Sequence, residues 1–264
     1  MAEINDNLYF VILAKKSDFD SQKLADTLSG ILAVPRFDII NHIKHYWGLL
    51  YKTDNIEKAR EVQRKLEEAG IGTLLRPLKE LKKVSEPKIL KKAVPEEAGL
   101  VFEEKGEKKS LLWDNFDMIC ACRIDMGINK KEMLPPDGKA KKWLTLTGFT
   151  PITVVAIAGE MAKKREKISK DVKTMYLLDL IGKPGLESIR ISGYDFDYSY
   201  LGSRKEYNLF LNFKNLVLDI RKYLPDITQN QGIAGLENPA MMKNFKYNSI
   251  EDYEHEKLWL NQLK

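Results

Sequence analysis

The chain is poor in the side chains on which many enzymes and small cross-linked domains depend. Of its 264 residues only two are cysteine and three histidine. Cys120 and Cys122 stand one residue apart, so no disulfide framework can staple this fold, and a reducing compartment is the natural setting. Structural zinc wants four ligands in paired short spacings, which Cys120, Cys122, His42, His45 and His255 do not supply; no metal and no cofactor are expected. Long apolar runs are missing as well. The richest later stretch, 151–158, falls far short of the roughly 18 consecutive apolar residues of a spanning helix. At the start, Glu3 and Asp6 precede only the short run Leu8 to Ala14, which is not the form of a signal peptide. The expectation is a cytoplasmic protein with no transmembrane segment. Also absent are G-x-x-x-x-G-K-S/T, G-x-G-x-x-G, G-x-S-x-G and H-E-x-x-H, so nucleotide, dinucleotide, hydrolase-elbow and zincin chemistries have no local support.

What is present describes a folded chain: 44% hydrophobic residues, 31% charged, mean hydropathy −0.36. At about 100 to 200 residues per domain, two small domains fit the length. Net charge is +5, unevenly spread. Nine basic residues between Lys139 and Lys173 face three acidic ones, a local +6 that leaves the rest of the chain close to neutral.

Periodicity places the elements. Leu8 to Ala14 reads as a strand, and Leu24, Leu28, Ile31 and Leu32 share a helical face behind Asp20 or Ser21 as cap. A second short helix follows Pro35 with His42 and His45 near its end, then a strand from Tyr46 to Tyr51. Asp54 with Glu57 opens a third helix that Gly70 ends, and Gly72 to Leu75 is a third strand. Residues 1–78 thus form a small three-stranded β-α-α-β-α-β domain. Residues 79–98, dense in Lys and Glu and broken by Pro87 and Pro95, read as a charged linker. From residue 99 the pattern is of short strands at hairpin spacing, and Tyr194 to Leu201 is a further strand candidate. Then the period changes to that of a helix, Leu209 to Tyr223, followed by a tail in which Ser249 and Asp252 open a last helix. The fold class is α+β: the small domain plus a mostly antiparallel β domain over 99–264, capped by a helix and ending in a helical tail.

With YFVILAK, HYWGLLYKT and AREVQRKLEEAG leading into TLL, segment 8–78 resembles the fold shared by the C-terminal domain of the bacterial ribosomal stalk protein and the Clp protease adaptor for N-terminal degrons. In the adaptor family, residues after the first strand and a histidine late in the second helix hold a peptide's amino terminus. The resemblance implies that Ser17 and Asp18, with His42 or His45, occupy those places. From Gly99 to Leu224, GLVFEEKGEKKSLLWDNFDMICACRI, MYLLDLIG and NLFLNFKNLVLDI are similar to a bacterial pleckstrin-homology-like or GRAM-like domain, which implies a scaffold for binding lipids, peptides or proteins.

Candidate chemistry divides three ways. Cys120 and Cys122 alternate with Met118 and Ile124 along one strand face, which reads as core. Asp195 and Asp197 alternate with Tyr194, Phe196, Tyr198 and Tyr200; on a strand, two carboxylates about 7 Å apart are candidates for cation binding or acid-base work, and a solvated face is the plainer reading. Lys163, Lys164, Arg165, Lys167 and Lys170 follow an apolar run and suit anionic lipid or phosphate, or simply water. Ranked together, these readings favour a non-enzymatic two-domain binding or adaptor protein with a protein or peptide partner. A peripheral membrane or nucleic-acid binder using 161–173 comes second, and an enzyme with an acidic site third.

Overall fold

The aromatic and β-branched run YFVIL forms strand β1 (Tyr9–Leu13), buried from Phe10 to Leu13, in a computed structural model that describes residues 8–127 and 172–264. Asp20 caps α1 (Ser21–Leu32), its carboxylate accepting from the Gln22 and Lys23 amides, and Pro35 precedes α2 (Arg36–Tyr46). Strand β2 (Leu49–Thr53) begins later than the expected strand at Tyr46, because helical hydrogen bonding continues to the Trp47 amide, which donates to the Ile43 carbonyl at 2.7 Å. Asn55 rather than Asp54 caps α3 (Ile56–Glu68). Gly70, at φ 73°, ends α3 in a Schellman turn in which the Ile71 amide reaches the Leu66 carbonyl at 2.9 Å. Strand β3 (Thr73–Pro77) completes the unit, with β1 between β2 and β3 and antiparallel to both.

The expected linker over 79–98 is instead built into the fold. Leu81, Leu90 and Ala93 are buried; β4 (Lys88–Ile89) and β5 (Val94–Glu96) are short strands. Pieces this short carry no legible period, and Pro95 is tolerated because β5 is an edge strand. Strands β6 (Gly99–Glu104) and β7 (Glu107–Leu112) form a hairpin turning on Lys105 and Gly106, both at positive φ, and β5 pairs with β6. Strand β8 (Phe116–Gly127) leaves that meander. It pairs antiparallel with β9 (Val172–Gly182), which turns through Lys183 to Gly185 into β10 (Ile189–Ser192). Strands β11 (Thr228–Gln229) and β12 (Lys246–Tyr247) lie parallel to β8, and β4 parallel to β10, giving the order β11-β8-β9-β10-β4. The class is α+β.

Tyr194 to Leu201 is not a strand. Asp197 accepts from both the amide and the hydroxyl of Ser199 and caps a 3-10 helix (Tyr198–Arg204), so local side-chain bonding wins over a sheet ladder. Helices α4 (Leu209–Arg221) and α5 (Gln231–Glu237) cover one face of the β8–β9 sheet, against Ile119, Ala121, Leu178 and Leu180. The opposite face, with Met118, Cys120, Cys122, Ile124, Leu177 and Ile181, joins α6 (Ile250–Gln262) and the apolar residues of β1 to β3 and α1 to α3 in one core. That core runs from Phe10 to Leu260 across the expected domain boundary. No helix among the described residues is long and apolar enough to cross a membrane.

Candidate recognition cleft between two helices

Helix α6 is buried on several sides although it carries charge, so each of its polar groups must find a partner. Trp259 donates its indole N–H to the Leu13 carbonyl at 2.9 Å. It lies flat against Gly48, where a Cβ would fall 2.1 Å from the ring, so only glycine fits. Gln262 exchanges two hydrogen bonds of 2.9 Å with the Lys82 backbone. Lys257, fully buried, meets Asp179, which Arg190 also grips bidentately at 2.7 Å, and Glu254 closes the network. Burial alone would raise the Asp179 carboxyl, but Lys257 and Arg190 hold it well below the usual range. Glu256 is buried among Tyr247 Oη and the Gln231 amide, and burial pushes its carboxyl up. Asp179, Glu256 and Lys257 are sealed from solvent, and with their partners they bind the helix into the fold.

The open chemistry lies at the other end of α6. Ser249 caps the helix, accepting from the Asp252 amide at 3.1 Å and donating to Asp252 Oδ1 at 3.0 Å. Asp252, only 4% exposed, also accepts from Nδ1 of His45, in the last turn of α2. This bond fixes the tautomer and leaves Nε2 with no hydrogen-bond partner among the described residues. Asn41, Lys44, His45, Asn248, Ser249 and Asp252 line a cleft of about 270 Å³. Lys44 forms no ion pair among the described residues. One and two turns back along α2 from Asn41 and His45 stands Phe37, 72% exposed.

All three histidines of the chain meet behind this cleft. Tyr46 has its ring centroid 4.7 Å from that of His42 and 4.5 Å from those of His45 and His255, and the last two are 5.1 Å apart. His42 Nε2 donates to the Leu49 carbonyl at 3.3 Å, and His255 Nδ1 to the His45 carbonyl at 2.9 Å. Burial lowers His42 to about 4. Burial lowers His255 as well, aided by His45 and opposed by its carbonyl bond and by the carboxylates of Asp252 and Glu251. Tyr46 is pushed up to about 12 by burial and by the Asp252 charge. No group of three His, Cys, Asp or Glu among the described residues has the geometry of a metal site.

Of the residues singled out in the sequence, only His45 lines this cleft, with His42 behind it. Ser17 and Asp18 form a 3-10 turn after β1, hydrogen-bonded to each other at 3.0 Å and to neither histidine, so the peptide-binding quartet is not assembled. Asp197 is a helix cap 3.5 Å from Lys92, and Asp195 lies exposed on the preceding turn; they make no joint acidic site. Lys163, Lys164, Arg165, Lys167 and Lys170 lie outside the described residues. Cys120 and Cys122 are free and buried, with thiols pushed up by burial, as core residues should be. Sequence reasoning missed Asn41, Lys44, Asn248, Ser249 and Asp252 as site residues; the signals at hand were the helical spacing of Asn41 and His45 and the Ser249-Asp252 cap. A larger cleft of about 470 Å³ beside the stacked Trp113 and Tyr223 is rimmed by Asp114, Asp117, Asp226, Lys183 and Lys264, a set of mixed charge in which Lys264 already lies 3.7 Å from Asp117. Comparison with known protein-family models, with curated proteins and with solved structures found no match.

Proposed function

We propose that this chain is a non-enzymatic binding or adaptor protein that recognises a protein or peptide partner at the α2–α6 cleft. The observation that carries the reading is His45, an imidazole anchored by a carboxylate with its second nitrogen uncommitted, set in a cleft walled by polar side chains. Lys44 adds an ammonium, and Asn41 and Asn248 add amides that donate and accept. Phe37 offers apolar area on the same helix face. Such a surface suits an extended segment that presents a carboxylate to Lys44, a hydrogen-bond donor to the unprotonated Nε2 of His45 and an apolar side chain to Phe37. A nucleophilic reading has less support: the Ser249 hydroxyl donates to Asp252 and not to His45, so the serine-histidine contact is not made.

Panning a random peptide library on the intact chain at neutral pH, followed by calorimetry of the selected sequences, tests this. Selected peptides should share an acidic residue or a terminal carboxylate, and Lys44→Glu and His45→Ala should each weaken binding by about tenfold or more. Peptides bound equally well by both variants would place recognition elsewhere and refute the reading.

A further inference from the structure

We propose that the joint between α2 and α6 is acid-labile, opened by protons on His42 and His255, so that the cleft holds its partner at neutral pH and lets it go on acidification. The release step rests on the recognition reading above; the opening of the joint does not.

The geometry is the basis. Three imidazoles are gathered around one tyrosine ring where two helices touch, with the rings of His45 and His255, one from each helix, 5.1 Å apart. Each has one N–H committed to an acceptor: His42 to the Leu49 carbonyl, His255 to the His45 carbonyl, His45 to Asp252. A further proton on His42 or His255 puts a cation among aromatic rings, and two such cations repel. Among the described residues the charged groups facing them are few. From α6 come Asp252 and Glu251, which favour a proton on His255; from α2 comes Lys44, of the same sign as an imidazolium; β2 contributes the Leu49 and Leu50 carbonyls to His42. On α1, Asp26 is the charged partner of α2 among the described residues, and it pairs with Arg36 at the helix's far end. The neutral forms of His42 and His255 are therefore what the closed joint selects.

Opening need not unfold the rest. Beyond His255, α6 is pinned by Lys257 on Asp179, Trp259 on Leu13 and Gln262 on Lys82. Its first turn is held to α2 through Asp252 and the histidine cluster. Both walls of the cleft depend on that joint, since Asn41, Lys44 and His45 come from α2 while Asn248, Ser249 and Asp252 belong to the start of α6. Separation of the helices removes the site.

Amide hydrogen exchange on the intact chain, corrected for the intrinsic pH dependence of exchange, reads this directly. Between neutral pH and about pH 5, protection at 43–47 and 250–256 should fall by about tenfold or more while β9 keeps its protection. A double variant, His42→Gln with His255→Gln, should lose that pH dependence; the amide introduced in place of the His42 imidazole keeps a side-chain donor for the Leu49 carbonyl. Protection that stays constant, or that falls equally along the whole chain, overturns the proposal, as does an unchanged fall in the double variant. Should that variant fail to fold, the side-chain resonances of the three histidines in the natural chain decide: His42 and His255 must titrate together with the loss of α2–α6 ring contacts, and titration that leaves those contacts intact refutes the joint. A peptide selected at neutral pH should dissociate over the same range. If no peptide binds at neutral pH, the recognition reading falls while the exchange result still judges the joint.

Discussion

The two faces of the β8–β9 sheet are packed by different mixtures of chemistry, although the helix on the first also buries Asn212 and Asp219, bonded to Glu206 and to Arg204 and Lys222. On one, α4 lays Phe213, Leu216, Val217 and Ile220 against Ile119, Ala121, Leu178 and Leu180, all buried hydrocarbon. On the other, α6 buries Asp252, Glu256, Lys257 and Gln262 beside Tyr253, Trp259 and Leu260. Apolar packing is non-directional and forgives small shifts, whereas a buried polar group is unpenalised only where its own partner waits. Asp252 meets His45, Glu256 meets Tyr247 and the Gln231 amide, and Lys257 meets Asp179. One register of α6 satisfies all three. The α4 face supplies bulk stability; the α6 face specifies position and makes stability respond to protons.

The sharpest way to break this comparison is a change of charge without a change of shape. Asp179→Asn keeps the volume but leaves Arg190 and Lys257 facing a neutral amide in a site with no exposure, and should cost about 3 to 5 kcal/mol. On the α4 face, Ile220→Val removes one buried methylene and should cost about 1 kcal/mol. Urea titration of both variants checks this; equal losses would erase the distinction between the faces.

Acid sharpens the comparison next. The native state holds His42 at about 4 against 6.5 when exposed, so it binds fewer protons than the unfolded chain between those values. Stability is full above pH 6.5 and falls toward pH 4 by about 3 kcal/mol from this residue alone. Asp125, which Lys246 and Arg123 hold down to about 2, gives up its contribution only below 3.8, so its window is separate. Glu256, raised by burial, works in the opposite sense as pH falls. His42→Gln should therefore flatten the limb between pH 6.5 and 4 in a series of urea titrations, and an unchanged limb would assign the acid loss to other groups.

The same contrast explains what could be read from the sequence. Helix α4 was legible because Leu209, Phe213, Leu216, Val217 and Ile220 repeat at the helical period. Cys120 and Cys122 were placed in the core by alternation alone. The start of α6 was visible in Ser249 and Asp252, but its buried face was not, since burial through matched charges has no hydrophobic period. Leu81, Leu90 and Ala93 were hidden for a related reason: each fills a gap singly, within a segment whose composition is that of a solvated tether. Tyr194 to Leu201 misled because the alternation was real while the Asp197 cap, a local bond, decided the backbone. Of the cleft, His45 was named, but its partner Asp252 stands 207 residues away, and no spacing rule reaches that far.

The smallest expected effect tests which feature sets the beginning of α6. Ser249→Ala removes the hydroxyl that accepts from the Asp252 amide and donates to its carboxylate. Losing one cap costs about 1 kcal/mol, because Asp252 remains bonded to His45 and the distant pairs on Asp179, Leu13 and Lys82 remain made. The midpoint of urea unfolding should shift slightly at constant slope, and His45 should keep its Nδ1–H tautomer by nitrogen NMR. A loss well beyond about 2 kcal/mol, or a change of tautomer, would mean that the cap organises Asp252 rather than the reverse. The helix would then be positioned by its first turn, and the matched charges further along would be passengers on a register already chosen.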